Sequence, residues 1–202
     1  MSPVPCYIAA KMLEPLPQPC DEAVIRAGLG SPRRTWNLEA RSHAWQPRRW
    51  LPSEPASLLQ LECLGILHGD KTLLCAAGSG WMASLLLALG ARLCLTEPEA
   101  LHAHRLSASL GTQIPLCRAK PLDGWREAAP FDRICPAEIL TEVPATLQSQ
   151  LAPEGRLVYW LLQPECLELR LDVREGLDIV PERLALMGLE SCPEELVALA
   201  RP

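Results

Sequence analysis

A strand-like run, a glycine turn and a helix-like run follow one another in TLLCAAGSGWMASLLLALGA, residues 72–91. The apolar run KTLLCAA has the length of a strand that is buried on both faces of a sheet. Gly78 and Gly80 permit the positive φ angles of a tight turn, and Gly90 can end the helix that begins near Trp81. A helix between two strands returns the chain by a right-handed crossover, so this order predicts a parallel α/β sheet.

The same alternation continues along the chain. A helix is predicted in ASLLQLECLGIL before the first strand, and further strands in ARLCLTE, IPLCRAK, FDRICPA and RLVYWLL. Helices are predicted in PEALHAHRLSASLG and in SCPEELVALA, where Ser191 and Glu194 have capping-box spacing. TEVPATLQSQLAPEG is predicted to be a helix that runs into a turn. CLELRLDV and RLALMG follow the fifth strand directly, and the alternation of the first is typical of an antiparallel strand. The sequence thus predicts a doubly wound, mostly parallel α/β sheet with antiparallel C-terminal strands.

A change in composition near Pro55 divides the chain into two predicted regions. Residues 1–55 are rich in Pro, Arg and Trp, and they show no regular period apart from a short helix in DEAVIRAGL. This favours an N-terminal arm, followed by an α/β domain over residues 56–202. Hydrophobic residues make up 49% of the chain but aromatic residues only 4%, so mainly Leu, Ala, Val and Ile must fill the core.

The arm is the predicted contact surface for a protein partner. Its arginines and tryptophans are the side chains enriched at interface hot spots. An alternative is that the tryptophans cover the sheet of this same chain. Nucleic-acid binding through the arm is a further alternative, but the net charge of −5 argues against it. The residues concerned are Arg33, Arg34, Trp36, Trp45, Arg48, Arg49 and Trp50.

The nine cysteines predict mostly buried thiols in a cytoplasmic protein. They include no Cys-x-x-Cys pair, and His102 and His104 stand two apart on a predicted helix, so we expect surface histidines and no metal. The first ten residues lack the basic start and apolar run of a signal peptide, and no signal peptide is expected. The longest apolar stretch, residues 81–89, is too short to span a bilayer.

A ligand site is predicted at the carboxyl ends of the strands, where the strand order reverses. The turn at residues 76–80 ends the first strand, and the helix behind it offers free N–H groups to an anionic group. Glu97 ends the second strand, where a carboxylate can accept hydrogen bonds from both hydroxyls of a ribose. An alternative is ordinary turn chemistry, with Glu97 as an acid in the first turn of the next helix.

From Pro52 to about Gly188 the chain resembles the protein-L-isoaspartate O-methyltransferases, which use S-adenosylmethionine. GSGWMASLLLALGARLCLTE is similar to the first motif and ribose acid of that family, and DGWREAAPFDRI to its loop into strand four. VPATLQSQLAPEGRLVYWL resembles the helix and strand that follow, and CLELRLDV and RLALMG match the terminal strands in position. SEP, residues 53–55, resembles a Ser-x-Pro whose serine lies in the active site. The resemblance implies a Rossmann-like methyltransferase sheet.

The resemblance also implies which residues hold the cofactor and the substrate. Ser53 would be the catalytic residue that positions the substrate. The cofactor-binding positions are Ala76, Gly78, Ser79, Gly80, Glu97 and Lys120.

This chain departs from the family pattern at several of these positions. The family has an acid at the position of Leu74, a glycine at that of Ala76 and an aspartate near the adenine at that of Lys120. A small shift of the alignment brings Asp123 nearer to the last position, and the Gly-Gln-Thr that precedes the family's serine is missing here. Leu74 cannot accept a hydrogen bond from the ammonium group of the cofactor, a loss that costs about 2–5 kcal/mol in comparable cases.

The sequence therefore favours a methyltransferase-like protein with an altered S-adenosylmethionine site, acting as a non-catalytic interaction or scaffold subunit. The alternative is an active S-adenosylmethionine-dependent carboxyl methyltransferase, in which Gly78, Gly80 and Glu97 hold the cofactor. A carboxylate acceptor is already a nucleophile, so methyl transfer needs alignment and exclusion of water rather than a strong base.

Overall fold

The computed structural model describes residues 22–30, 52–189 and 198 of the chain. In these residues a seven-stranded sheet has the order β3-β2-β1-β4-β5-β6-β7. The first five strands in chain order pair in parallel, whereas β6 is antiparallel to β5 and β7 is antiparallel to β6. The strands are β1 (Lys71–Cys75), β2 (Arg92–Thr96), β3 (Leu116–Cys117), β4 (Phe131–Pro136), β5 (Leu151–Leu162), β6 (Cys166–Glu175) and β7 (Asp178–Gly188).

The helices are α1 (Glu22–Gly30), α2 (Glu54–Leu64), α3 (Trp81–Ala88), α4 (Ala100–Leu110) and α5 (Ala145–Gln148), with a short 3-10 helix at Arg126–Ala128. Apolar side chains of α1 to α4 join one core cluster, and Leu147 of α5 joins a second cluster on the opposite face. The doubly wound sheet with antiparallel C-terminal strands is therefore confirmed. None of the helices in the described part is long and apolar enough to cross a membrane.

Helix α2 is fixed to the centre of the sheet by a buried polar side chain. Gln60 Nε2 donates to the carbonyl oxygens of Pro136 in β4 and Val158 in β5, each at 2.9 Å. In the other direction, Trp160 Nε1 donates to the Ala56 carbonyl at 3.3 Å. Because buried polar groups need hydrogen-bond partners, these contacts set the position of α2 along the strands.

Helix α1 lies within the region predicted to be an arm, and the short helix expected in DEAVIRAGL is confirmed. Val24 is buried in the core cluster that α2 also joins. A Cβ added at Gly28 would lie 3.3 Å from the side chain of Leu58, so glycine permits the close approach of α1 to α2. The arginines and tryptophans assigned to a partner surface lie outside the described residues.

Two predicted elements are wrong in length. The helix expected in TEVPATLQSQLAPEG is only the four residues of α5. Strand β5 already starts at Leu151, because residues 152–155 loop out as a bulge between the pairs Phe131–Leu151 and Arg133–Arg156. The third strand has two residues rather than seven, and its edge position and the preceding Pro115, which lacks an N–H donor, limit its pairing.

The thiols agree with the sequence analysis in the described part of the chain. Its six cysteines are free, and four of them are buried. Burial raises the pKa of Cys63 and of Cys75 to about 12, because a thiolate is poorly solvated there.

The helix predicted in SCPEELVALA lies outside the described residues, except for Ala198.

We expect Glu154→Gly to raise the free energy of unfolding by about 1 kcal/mol. Glu154 is exposed and has a φ of 61°, a left-handed conformation that costs a non-glycine residue about 1–2 kcal/mol. Part of this gain is offset by the greater freedom of glycine in the unfolded chain. Urea denaturation measures the change. The control Glu165→Gly, at an exposed residue without positive φ, should give no gain, and equal gains at both positions would contradict the explanation.

Candidate functional site

The carboxyl ends of β1 and β4 border a crevice in the sheet. After β1 the chain enters α3, whose Met82 and Leu85 lie in the first core cluster. After β4 it enters α5, whose Leu147 lies in the cluster on the opposite face. When neighbouring parallel strands are followed by connections on opposite faces, the loops part and leave the usual ligand site of an open α/β sheet.

The turn after β1 has a left-handed backbone at three positions. The φ angles are 56° at Ala76, 57° at Gly78 and 86° at Gly80. The Ala77 amide donates to the Thr96 carbonyl at 3.1 Å, which joins the turn to β2. Glycine adopts such angles freely, whereas alanine adopts them at a cost of about 1–2 kcal/mol. The turn therefore keeps its backbone shape although its first position is alanine.

Glu97 lies directly after β2, and its carboxylate contacts this turn. Its side chain has no exposed surface. Oε2 accepts a hydrogen bond from the Gly78 amide at 2.8 Å, and Oε1 accepts one from the Glu99 amide at 3.2 Å. A carboxylate removed from water requires such donors, so the acid and the turn hold each other in place.

His102 also lies beside this carboxylate, although the sequence analysis expected a surface residue. Its Nδ1 atom is 3.8 Å from Glu97 Oε1, and 23% of its side chain is exposed. The two-residue spacing of His102 and His104 on a helix shows only that they cannot bind one metal ion together, and it does not predict the contact of His102 with Glu97. The first turn of α4 begins three residues after Glu97 and directs His102 back to the strand end.

The remaining predicted site residues do not join this cluster. Ser53 is the exposed N-cap of α2, and its hydroxyl accepts the Ala56 amide at 3.4 Å. Ser79 is exposed, and its hydroxyl accepts an amide of the first turn of α3 at 3.4 Å. Lys120 is exposed in the loop after β3. Among the described residues, none of these side chains forms a hydrogen bond with the carboxylate of Glu97.

Leu74 is fully buried in the core cluster on the side of α2 and α3. It pairs with Leu95 in β2 and with Cys135 in β4, so it lies in the middle of the sheet. An aliphatic side chain offers no acceptor to a cation. Strand β1 therefore contributes apolar packing at the position where the resemblance implies an acid.

Glu138 is an acid beside the crevice that the sequence analysis did not single out. It follows the carboxyl end of β4 and is 7% exposed. The neighbouring Ala137 amide donates to the Cys75 carbonyl at 2.9 Å, and the Leu140 amide donates to the Trp160 carbonyl at 2.8 Å. The segment that carries Glu138 thus runs between the ends of β1 and β5. The sequence signal was a single acid in the apolar run PAEIL.

A family model described as Protein-L-isoaspartate(D-aspartate) O-methyltransferase (PCMT) matches residues 52–168. The chain belongs to this family. The match covers more than half of the sequence and includes β1, β2, β4 and β5, with the turn and Glu97. The family named from the sequence motifs is therefore confirmed.

Relatives and a solved structure agree with this assignment. The chain is 38% identical over 103 residues to a protein-L-isoaspartate O-methyltransferase of Methylorubrum populi, and this match spans about half of each protein. It is 33% identical over 153 residues to protein-L-isoaspartate O-methyltransferase 1 of Pelobacter propionicus, which covers 68% of this chain and 71% of the relative.

The fold is shared with a Plasmodium falciparum crystal structure described as a protein-L-isoaspartate O-methyltransferase in complex with S-adenosyl-L-homocysteine. The TM-score is 0.63 at 15% identity, and the likeness covers 84% of this chain and 91% of that chain. At this identity the likeness shows the fold, which is that of the methyltransferases.

We expect Ser53→Ala to lower the free energy of unfolding by about 1 kcal/mol, because α2 loses its N-cap acceptor. Ser53→Asp should restore most of this loss, since aspartate caps helices as well as serine does. Thermal or urea unfolding of the three proteins measures the effect. Equal losses in both variants would show that the loss does not come from the missing cap acceptor.

Proposed function

We propose that this chain binds S-adenosylmethionine at the crevice and methylates a carboxylate, as a protein-L-isoaspartate O-methyltransferase. The observation that carries the proposal is the hydrogen bond between the Gly78 amide and the Glu97 carboxylate. It places a fixed acid against a glycine turn at the carboxyl edge of a parallel sheet, where a ribose would lie. Membership of the family over residues 52–168 supports the same function.

The residues present fit the adenosyl part of the cofactor. A carboxylate can accept about four hydrogen bonds, and the hydroxyls of a ribose are suitable donors. Gly78 and Gly80 bring backbone rather than side chain to the ligand, and the amides at the start of α3 face the same edge. Because Glu97 is enclosed in this conformation, a local opening must precede binding.

Bound S-adenosylmethionine would supply an activated methyl group on a sulfonium centre. The chain then has to bind the cofactor and the acceptor, to orient them toward each other and to exclude water. Glu97 and the turn orient the adenosyl group, and the buried Ala76 and Ile139 keep the crevice apolar. A carboxylate acceptor is already a nucleophile, so its methylation needs no general base. Ser53 would position the acceptor from the start of α2.

A non-catalytic interaction or scaffold subunit is the second candidate function. It is favoured by Leu74, which packs in the core, and by the enclosure of Glu97, whose charge is stabilised by backbone amides without any ligand. A protein partner would contact the arginines and tryptophans of the N-terminal region, which the structure does not describe. Partner binding and a cytoplasmic location remain predictions.

We expect titration calorimetry to detect binding of S-adenosylhomocysteine to the full chain. Glu97→Gln keeps the side-chain volume but removes a charged acceptor, and hydrogen bonds to charged groups contribute about 1.5–3 kcal/mol. The affinity should therefore fall by about tenfold or more. Glu99→Gln is the matched control, because Glu99 is exposed and contributes its backbone amide. No heat for the folded wild-type protein at millimolar ligand would instead support the scaffold function.

We expect methyl transfer from S-adenosylmethionine to an isoaspartyl peptide and not to the same peptide with a normal aspartyl bond. The two peptides differ only in the position of the carboxylate, so the pair isolates recognition of the acceptor. Radiolabelled methyl incorporation or mass spectrometry measures the product. Binding of S-adenosylhomocysteine without transfer to either peptide would keep the cofactor site and reject this acceptor.

A further inference from the structure

We propose that His102 binds the ribose of the cofactor together with Glu97, so that one ribose hydroxyl bridges the imidazole and the carboxylate. The inference rests on the proposed binding of S-adenosylmethionine and adds one residue to that site. A hydroxyl is both a donor and an acceptor. The bridging hydroxyl therefore donates its hydrogen to Glu97 and accepts a hydrogen bond from the imidazole N–H of His102.

The first argument is the distance between the two side chains. His102 Nδ1 lies 3.8 Å from Glu97 Oε1, which is too far for a direct hydrogen bond. At this separation a single hydroxyl oxygen can lie about 2.8 Å from both atoms. The pair therefore has the spacing of two groups that bind a third polar group between them.

The second argument is the environment of the Nδ1 atom. Although 23% of the His102 side chain is exposed, Nδ1 itself is buried and has no hydrogen-bond partner in the part of the chain that the structure describes. Buried polar atoms normally have such a partner. A proton on Nδ1 is favoured here, because a lone pair at this position would face the carboxylate. A ribose hydroxyl supplies the acceptor that this N–H requires.

The third argument is the way in which Glu97 is held. Oε2 accepts the Gly78 amide at 2.8 Å, and Oε1 accepts the Glu99 amide at 3.2 Å. A carboxylate can accept about four hydrogen bonds, so these two amides do not saturate it. A hydroxyl at Oε1 lies on the side of α4, while the glycine turn holds the other oxygen. Because Nδ1 and the carboxylate are buried beside each other, the same local opening exposes both to the ligand.

The fourth argument is that the fold fixes His102 before a ligand binds. The next residue on α4, Ala103, is 7% exposed, and its amide donates to the Glu99 carbonyl at 2.9 Å. From the loop after β3, the Arg118 guanidinium donates to the Pro98 carbonyl at 3.1 Å. The connection from β2 to α4 is thus held from both sides. An imidazole on such a connection loses little freedom when it binds a hydroxyl.

The experiment removes the imidazole and each ribose hydroxyl in turn. Titration calorimetry of the full chain compares the wild-type protein with His102→Leu for S-adenosylhomocysteine and for its 2′-deoxy and 3′-deoxy forms. His102→Leu should weaken S-adenosylhomocysteine by about two- to tenfold, the effect of one hydrogen bond between neutral groups. It should not weaken the deoxy form that lacks the bridging hydroxyl, because that ligand makes no contact with His102. The other deoxy form should be weakened as much as S-adenosylhomocysteine.

Two further variants are the controls. His102→Asn keeps an N–H donor near the position of Nδ1 and should retain most of the affinity for S-adenosylhomocysteine. His104→Leu changes an exposed histidine of the same helix and should change no affinity. Thermal unfolding checks that the variants fold, and His102→Phe replaces His102→Leu if the latter does not. If a deoxy form binds too weakly to be measured, the comparison of His102→Leu with His102→Asn decides.

Equal losses for all three ligands would overturn the contact, because a histidine that only stabilises the charge of Glu97 acts on each ligand alike. Equal losses in His102→Leu and His102→Asn, or no loss in either, would also overturn it. These outcomes leave the proposed function standing, since the wild-type protein still binds S-adenosylhomocysteine. A folded wild-type protein that does not bind this ligand would overturn both.

Discussion

The hydrogen bond between the Gly78 amide and the Glu97 carboxylate is the interaction on which the site depends. It joins the turn after β1 to the end of β2, and Ala77 adds a backbone hydrogen bond to Thr96 at the same level. A buried carboxylate without donors would be very costly, so the turn keeps its shape as long as Glu97 is enclosed. The folded chain thus fixes the relative position of the turn and the acid before any ligand binds, and only a local opening is needed to expose Glu97.

The turn after β1 tolerates a non-glycine residue at its first position, as Ala76 shows. Alanine follows the left-handed backbone of the turn with a φ of 56°, at a cost that a stable domain can absorb. Leu74 packs in the core cluster and offers no hydrogen-bond acceptor, so its side chain contributes to folding. The fold of the family therefore persists with alanine at residue 76 and leucine at residue 74.

Most of the fold could be predicted because its signals are local. Glycine at the ends of helices, short apolar strands and the alternation in CLELRLDV each depend on neighbouring residues. The predictions were wrong where strand pairing between residues far apart in the chain decides the structure. The bulge at residues 152–155 exists because β4 pairs on both sides of it, and the sequence alone reads APEG as a turn. Glu138 was missed for the same reason, since its burial depends on strands that lie far away in the chain. His102 was missed although its contact with Glu97 is local, because the turn between β2 and α4 sets its direction.

The antiparallel end of the sheet differs from the rest in the length of chain that each contact encloses. In β6 and β7, Glu175 pairs with Asp178 and the ladder continues outward from there, so each new pair closes a short loop. In the parallel part, the pairing of Thr72 with Arg133 encloses two α-helices, a 3-10 helix and two strands. Closing long loops costs more entropy and slows folding. The crevice is therefore built on the slow-forming contacts of the domain, and the full-length unfolded chain acquires its C-terminal hairpins more readily than its ligand site.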